Sequence, residues 1–402
     1  MSLTVEDYYK GPTEDKLNYM GELWEFGKSV DKKEVYIKIS KGTGANSPIC
    51  VSFHLAERKI EHPFKNKKVE VMKSPFTGGD AALCHEKQSF EFRKDNFEIV
   101  YHFYRCKDTN EEFTTTELDQ LNMNQVYNLY RQKYAIPFPD EIKRVRELYG
   151  ISALRMSKLL GFGDNQYRKY EEGEMPSVSN GKMISALKDP HFFLEILKLA
   201  QNQFPNDEIL KIEKRVKELL LNNSCFENKI NEFIFHNHLS LRSSMNGYAS
   251  VIPEKVKQII VFFASALQGV FETKLNKLLF YSDFLSYKKY GKGISGLQYQ
   301  AISYGPVPVR YSTIYENLDG LKKEIINLGN GYSGSIITTV EQFEQSLFTV
   351  EELEVLQCVL VHFEKSKANE ISEMSHAEEA WRQNEKQHSL IDYSYAFDLR
   401  QL

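Results

Sequence analysis

Nowhere do the 402 residues approach the roughly 20 consecutive apolar residues that a membrane helix needs. Runs such as Ile259-Ile260-Val261-Phe262-Phe263-Ala264 are short and have charged flanks. The opening Met1-Ser2-Leu3-Thr4, soon followed by Glu6 and Asp7, lacks the basic and apolar regions of a signal peptide. Cysteine is scarce: Cys50, Cys84, Cys106, Cys225 and Cys358 are an odd, scattered set without paired spacing. That argues against a disulfide scaffold and for a reducing, cytoplasmic compartment. Neither sign of charge dominates, with 51 Lys and Arg against 55 Asp and Glu and a net charge of −4. No global field therefore draws the chain onto nucleic acid, and DNA binding would need a local patch. Signature catalytic motifs are missing too: no Walker A, no dinucleotide fingerprint, no His-Glu-x-x-His and no Gly-x-Ser-x-Gly. His376 near Glu378 and Glu379 is the nearest approach to a titratable cluster, and it reads as a capped or surface histidine. A Ser-His-Asp set assembled in space leaves no mark on the sequence, and nothing here points to one. The expectation is a non-enzyme with no cofactor.

What is present is ordinary for a globular protein: 42% hydrophobic and 26% charged residues. At roughly 100–200 residues per domain, the length predicts two to four domains. The pattern is multi-domain α+β: a β-rich N-terminal region, a central all-α domain and a mainly α C-terminal domain. Residues 1–65 read as a small α+β unit, with strands at Val35–Ile39 and Ile49–Phe53 and a turn at Gly42–Asn46. Residues 66–122 are strand-rich, alternating at Phe90–Arg93 and Glu98–Tyr104, with a turn at Ser74–Gly79. Residues 123–222 turn helical, with starts at Pro139, Ser152, Asp164, Ser177 and Asp189-Pro190. A further helix over about 206–222 carries Ile209, Ile212, Val216 and Leu219 on one face. Residues 223–402 hold periodic helices at Val256–Leu267, Thr273–Tyr290 and Val350–Phe363, broken at Gly291-Lys292-Gly293 and Tyr304-Gly305-Pro306.

Between 140 and 190 two short helices flank a tight glycine turn, as in a helix-turn-helix. The second helix of that motif lies in the major groove and its first residues touch base edges. Here those residues are Asn165 and Gln166, with Arg168 and Lys169 one turn on. Asn and Gln pair bidentately with adenine, and Arg or Lys with guanine. Tyr167 and Tyr170, three apart, read as the inward pair. Residues 152–188 hold six Lys or Arg and four Asp or Glu, a surplus of only +2, so any small helical bundle with a solvated face fits the patterning equally well.

The run Met156-Ser157-Lys158-Leu159-Leu160-Gly161-Phe162-Gly163-Asp164-Asn165-Gln166-Tyr167-Arg168-Lys169-Tyr170-Glu171-Glu172-Gly173 and then Pro176-Ser177 resembles the helix-turn-helix of MqsA-type antitoxins. The resemblance implies that Asn165 reads DNA and that Lys169, beside Arg168, is the basic reader. That family has Arg at the second position, and Lys lacks the flat bidentate fork. Such antitoxins also carry a zinc module with two Cys-x-x-Cys pairs. The corresponding places here are Ser74-Pro75-Phe76-Thr77 and Arg105-Cys106-Lys107-Asp108, and neither is a pair. Cys84-His85 with Cys106 supplies three ligands at most, against the four of a closed zinc shell. The reading is a metal-free module, held by apolar packing of Phe90, Phe92, Val100 and Tyr104.

Farther on, Lys274-Leu275-Asn276-Lys277-Leu278-Leu279-Phe280-Tyr281, Tyr290-Gly291 and Tyr304-Gly305-Pro306-Val307 are similar to the Panacea (SocA-like) domain of toxin-neutralising antitoxins. Glu370-Ile371-Ser372, Ser375-His376-Ala377 and Ala380-Trp381 fit its terminal part. The resemblance runs over about 250–400. Leu275, Leu278, Leu279 and Phe284 read as a buried stripe. The tyrosine load exceeds what a core requires, and tyrosine suits interfaces because one end is apolar and the other polar. Tyr281, Tyr287, Tyr290, Tyr304 and Pro306 are therefore the expected partner-binding surface. Together the two resemblances imply a cytoplasmic type II antitoxin, without a membrane segment. It would bind a protein toxin and act as a homodimeric repressor on operator DNA. The alternatives are an adaptor delivering a bound partner to a protease, or a plain helix-turn-helix regulator.

Overall fold

The computed structural model describes residues 8–14, 22–30, 33–40, 49–56, 72–222, 226–239, 241–329 and 332–402. The expected turn at Gly42–Asn46 and Cys225 lie outside the described residues. The chain divides into two compact units, residues 1–84 with 104–113, and residues 85–103 with 114–402.

The first unit holds an antiparallel meander of β1 (Tyr8–Glu14), β2 (Glu22–Val30), β3 (Lys33–Ser40) and β4 (Ile49–Leu55). The two strands legible in the sequence are β3 and β4, paired through Ile37 and Phe53. Alternation puts Val35 and Ile37 inside. Next come β5 (Met72–Lys73), β6 (Asp80–Phe92), β7 (Asp95–Cys106) and β8 (Glu112–Phe113), in the order β5-β6-β7-β8. The division between the units falls within β6 and β7.

In the second unit, α1 (Thr116–Tyr134) begins where the Thr115 side chain accepts from the Leu118 backbone N–H. It packs Val126 and Tyr130 on Phe97 and Ile99 of β7, with Phe90 and Phe92 alongside. At the β6–β7 tip, Arg93 donates to the carbonyls of Met175 (2.9 Å) and Pro176 (3.0 Å). Of the four side chains expected to hold the strand-rich module, Phe90 and Phe92 pack on this helix. Val100 packs on the C-terminal core. Tyr104, in the first unit, stacks on Phe113.

The helical starts read from sequence are observed as α2 (Pro139–Leu148), α3 (Ala153–Leu159), α4 (Gln166–Glu171), α5 (Val178–Ala186), α6 (Pro190–Leu199) and α7 (Asn206–Asn222). Ser152, Ser177 and Asp189 each accept from a first-turn backbone N–H. Gly161, at φ 67°, turns the chain out of α3 in a conformation that a side chain resists. Ile142, Val145, Met156, Ile184, Phe193 and Leu197 make one core, on which Ile212 and Val216 of α7 also pack. Fully burying such side chains contributes ~1.5–3 kcal/mol each.

The C-terminal region comprises α8 (Phe226–Phe235), α9 (Pro253–Ala266), β9 (Val270–Phe271), α10 (Glu272–Tyr290), β10 (Tyr299–Ile302), β11 (Gly305–Pro308), α11 (Tyr311–Asn317), β12 (Leu321–Gly329), β13 (Tyr332–Thr339), α12 (Val350–Phe363), α13 (Ala368–His376), α14 (Glu379–Arg382) and β14 (Leu390–Ile391). Helices dominate, but two three-stranded sheets, β11-β10-β14 and β12-β13-β9, brace them. The break at Tyr304-Gly305 is the turn of the β10–β11 hairpin. Helix α10 is the centre: every residue from Lys274 to Tyr287 is buried. A helix buried all round is apolar on most faces, yet this one carries Lys277 and Asp283 inside.

Asp140, at the start of α2, ties that helix to the C-terminal region. It accepts from Arg242 Nη1 (2.8 Å) and Lys292 Nζ (3.2 Å), while Arg242 lies over the Phe138 ring. Asn124 and Asn128 of α1 donate to the carbonyls of Tyr290 and Gly291 at the end of α10. Burial opposes ionisation of Asp140, but Lys292 and Arg242 hold its carboxyl well below the usual range.

Candidate functional site

The packing of α2, α3 and α4 is fixed by tyrosine. Tyr167 and Tyr170 are buried, as their spacing implied. The Tyr167 hydroxyl donates to the Ile142 carbonyl (2.8 Å), and its backbone N–H donates to Ser157 Oγ (3.0 Å). These bonds lock α4 against α2 and α3. Asn165, Arg168 and Lys169 are exposed and Gln166 is half-exposed. Asn165 occupies the N-cap of α4 but makes no capping bond, so its amide is uncommitted at the helix start. Two acids sit among the candidate readers: Gln166 donates to Glu174 (2.7 Å), and Arg168 pairs with Glu172 (2.9 Å).

In the first unit, the turns at 74–79 and 106–111 face each other. The Cys106 thiol lies 3.6 Å from Thr77 Oγ1, which also donates to Asp108. Hydrogen bonds from Ser74 and then Thr109, with help from Thr77, pull the Cys106 thiol down to about 6. Positions 74, 77, 106 and 109 thus carry Ser, Thr, Cys and Thr around one point. The three hydroxyls are occupied locally: Thr77 donates to Asp108 and Thr109 to Glu111, while Ser74 accepts from the Phe76 N–H. The sequence reading located both turns but not Thr109. Among the described residues there is no group of three His, Cys, Asp or Glu poised for a metal ion.

The C-terminal tyrosines are placed differently from expectation. Tyr281 and Tyr287 are buried and Pro306 is buried in the hairpin, so none of the three offers a surface. Tyr281 donates to Glu378 (3.2 Å), Tyr299 to Asp283 (2.7 Å), Tyr315 to Asn276 (2.6 Å) and Tyr393 to the Leu297 carbonyl (2.7 Å). The tyrosine surplus therefore serves a core with internal polar partners, because a buried hydroxyl needs an acceptor. Tyr290 is half-buried, and Tyr304 is 75% exposed. The buried acceptors escaped the sequence reading, because a lone Asp or Glu in a helical pattern looks like solvent-facing charge. Asp283 accepts from the Ile294 N–H (2.7 Å), the Ser295 N–H (2.8 Å), the Ser295 hydroxyl and Tyr299. Glu378 also accepts from the backbone N–H groups of Arg400 (2.8 Å) and Gln401 (3.2 Å), fastening the last residues.

Two buried histidines make the fold acid-sensitive. His238 Nδ1 accepts from the Gln298 N–H (3.0 Å), so its Nε2–H donates to the Val309 carbonyl (2.9 Å). Burial lowers both His238 and His102 from 6.5 to about 4, with His85 adding to the effect at His102. The unfolded chain takes up these protons near pH 6.5 and the folded chain only near pH 4. Stability is therefore full above about 6.5 and falls as the pH drops towards 4, by up to ~3 kcal/mol per histidine. Urea unfolding between pH 7.5 and 4.5 should show the decline, and His238→Gln should remove about half of it, leaving the share of His102; a flat wild-type profile would contradict the assignment.

Residues 275–382 match the family described as antitoxin SocA-like, Panacea domain. The match runs from α10 to α14, so the C-terminal region is similar to an antitoxin-type domain. It is narrower than the span of about 250–400 read from the motifs, and α3 and α4 lie outside it. No curated protein and no solved structure matches the chain. Among the described residues no helix is long and apolar enough to cross a membrane.

Proposed function

We propose that the chain is a cytoplasmic type II antitoxin that binds and neutralises a protein toxin through its Panacea-like region, without catalysis. In this reading it represses its own operon, as a homodimer, through α3 and α4. The observation that carries the reading is the family match over residues 275–382. The DNA-binding half is supported by the exposure of Asn165, Arg168 and Lys169 on a helix whose tyrosines point inward. A two-fold dimer suits a palindromic operator. The test is co-expression of the full chain with the product of the adjacent gene, scored for growth. The expected result is a neighbouring gene that is lethal alone and harmless beside this chain, with rescue intact in Asn165→Ala when the toxin is driven separately. Rescue that fails in Asn165→Ala would leave a plain transcription regulator. A partner that disappears only when a protease is present would favour the adaptor.

A further inference from the structure

Three motifs far apart in the sequence meet at one point in the Panacea-like region. Lys277 of α10 is fully buried, and its ammonium donates to the Pro306 carbonyl at 2.9 Å. Burial draws it down to about 7. Lys274, one turn earlier, donates to two carbonyls and feels Glu364 and Glu370. Over Lys277 lies the turn at Gly305, φ 98°, where a Cβ would fall 2.8 Å from Lys277 Nζ and 2.5 Å from Ser375 Oγ. On α13, Ser372 and His376 lie one turn apart on one face, and Ser372 Oγ and His376 Nε2 are both buried atoms with no hydrogen-bond partner among the described residues. The His376 ring stacks on Trp381 at 4.1 Å and bonds the Tyr304 backbone through its other nitrogen.

A buried cation without an anion is expensive, and so are unpaired polar atoms beside it. Folds keep such arrangements where something else completes them. Ser372 and His376 are part-buried as residues and Tyr304 is exposed. We propose that Lys277, Ser372 and His376 form a carboxylate-binding site that receives an Asp or Glu side chain of the protein partner, entering beside Tyr304. The inference rests on the partner-binding reading above. One carboxylate oxygen would accept from the Lys277 ammonium. The other would accept from the Ser372 hydroxyl and from His376 Nε2, which takes up a proton on binding.

The test uses the full chain with 13C-labelled lysine, the Lys277 signal being assigned by its loss in Lys277→Met. Its pH titration is followed alone, in sodium acetate, and in inorganic phosphate at matched ionic strength. The expected result is a Lys277 midpoint raised by about one unit or more in acetate and not in phosphate. No acetate-dependent shift overturns the site, and an equal shift in phosphate overturns its carboxylate selectivity. Lys277→Met also removes a buried charge, so it should fold and be at least as stable as the wild type. It should nevertheless bind the partner ~30-fold or more weakly, as expected when one member of a buried charge pair is lost. Unchanged partner affinity in that folded variant overturns the partner's role. If acetate shifts Lys277 but the wild type binds no neighbouring gene product, the site stands and the antitoxin reading falls.

Discussion

Alanine at Asn165 and Lys169 together should lower affinity for the DNA upstream of the chain's own gene by ~100-fold or more. Losing a base-reading side chain costs roughly 1–3 kcal/mol, and the double variant loses two candidate readers. Both are exposed, and Asn165 caps no backbone group, so the fold should be indifferent to the change. Single substitutions separate the roles. Asn165→Ala should relax the choice of base at one position. Lys169→Ala should do the same if it reads a base, and should weaken all sequences equally if it touches phosphate alone. The acids in the same turn matter as well: Glu174 holds Gln166 and Glu172 holds Arg168, so either basic or amide reader must leave its acid to reach DNA. Equal operator affinity of the wild type and the double variant, measured by titration at one fixed salt concentration, would end the DNA-binding reading.

Asp283→Ala should unfold the Panacea-like region, or destabilise it by about 4 kcal/mol or more. The carboxylate is buried and takes four donors: two backbone N–H groups, the Ser295 hydroxyl and the Tyr299 hydroxyl. Truncation leaves all four unpaired in the core, at roughly 1–3 kcal/mol for each unsatisfied group. Against a typical domain stability of 5–15 kcal/mol, that loss is decisive. Asp283→Asn is not a mild substitute, since its amide N–H groups would point at donors. Burial raises the Asp283 carboxyl, so the folded state binds this proton more readily than the unfolded one, and ionisation costs stability as the pH rises through the folded value. The four hydrogen bonds offset that cost. Thermal unfolding of the full chain, read by near-ultraviolet circular dichroism, should show a low-temperature transition or no cooperative transition in Asp283→Ala. An unchanged melting temperature would show that the donors find other partners.

Helix starts and stops in the middle of the chain were legible because they rest on local chemistry. Ser152, Ser177 and Asp189 cap backbone groups a few residues away, Gly161 turns the chain where a side chain would be strained, and Tyr167 and Tyr170 share a face by spacing alone. The β3 and β4 strands and three helices of the C-terminal region, α9, α10 and α12, were legible for the same reason: period and propensity act within ten or so residues. The motif order of the Panacea-like region was legible as well, and the family match over residues 275–382 agrees with it.

Only the tertiary structure decided which face of α10 meets what. From sequence, Leu275, Leu278, Leu279 and Phe284 make one buried stripe, and the polar residues between them look solvated. The helix is instead enclosed on all sides, which turns Tyr281 and Tyr287 from interface candidates into core, and Lys277 and Asp283 from surface charges into interior ones. Their partners, Pro306, Ser295, Tyr299 and Glu378, lie between 12 and 97 residues away, beyond the reach of periodicity. The same holds for Asp140 with Arg242, 102 residues apart, and for the Ser74, Thr77, Cys106 and Thr109 cluster. Sequence period reports which side chains share a face; the cost of burying a charge or a hydroxyl depends on what the rest of the chain brings to that face, and that is settled only when the chain is folded.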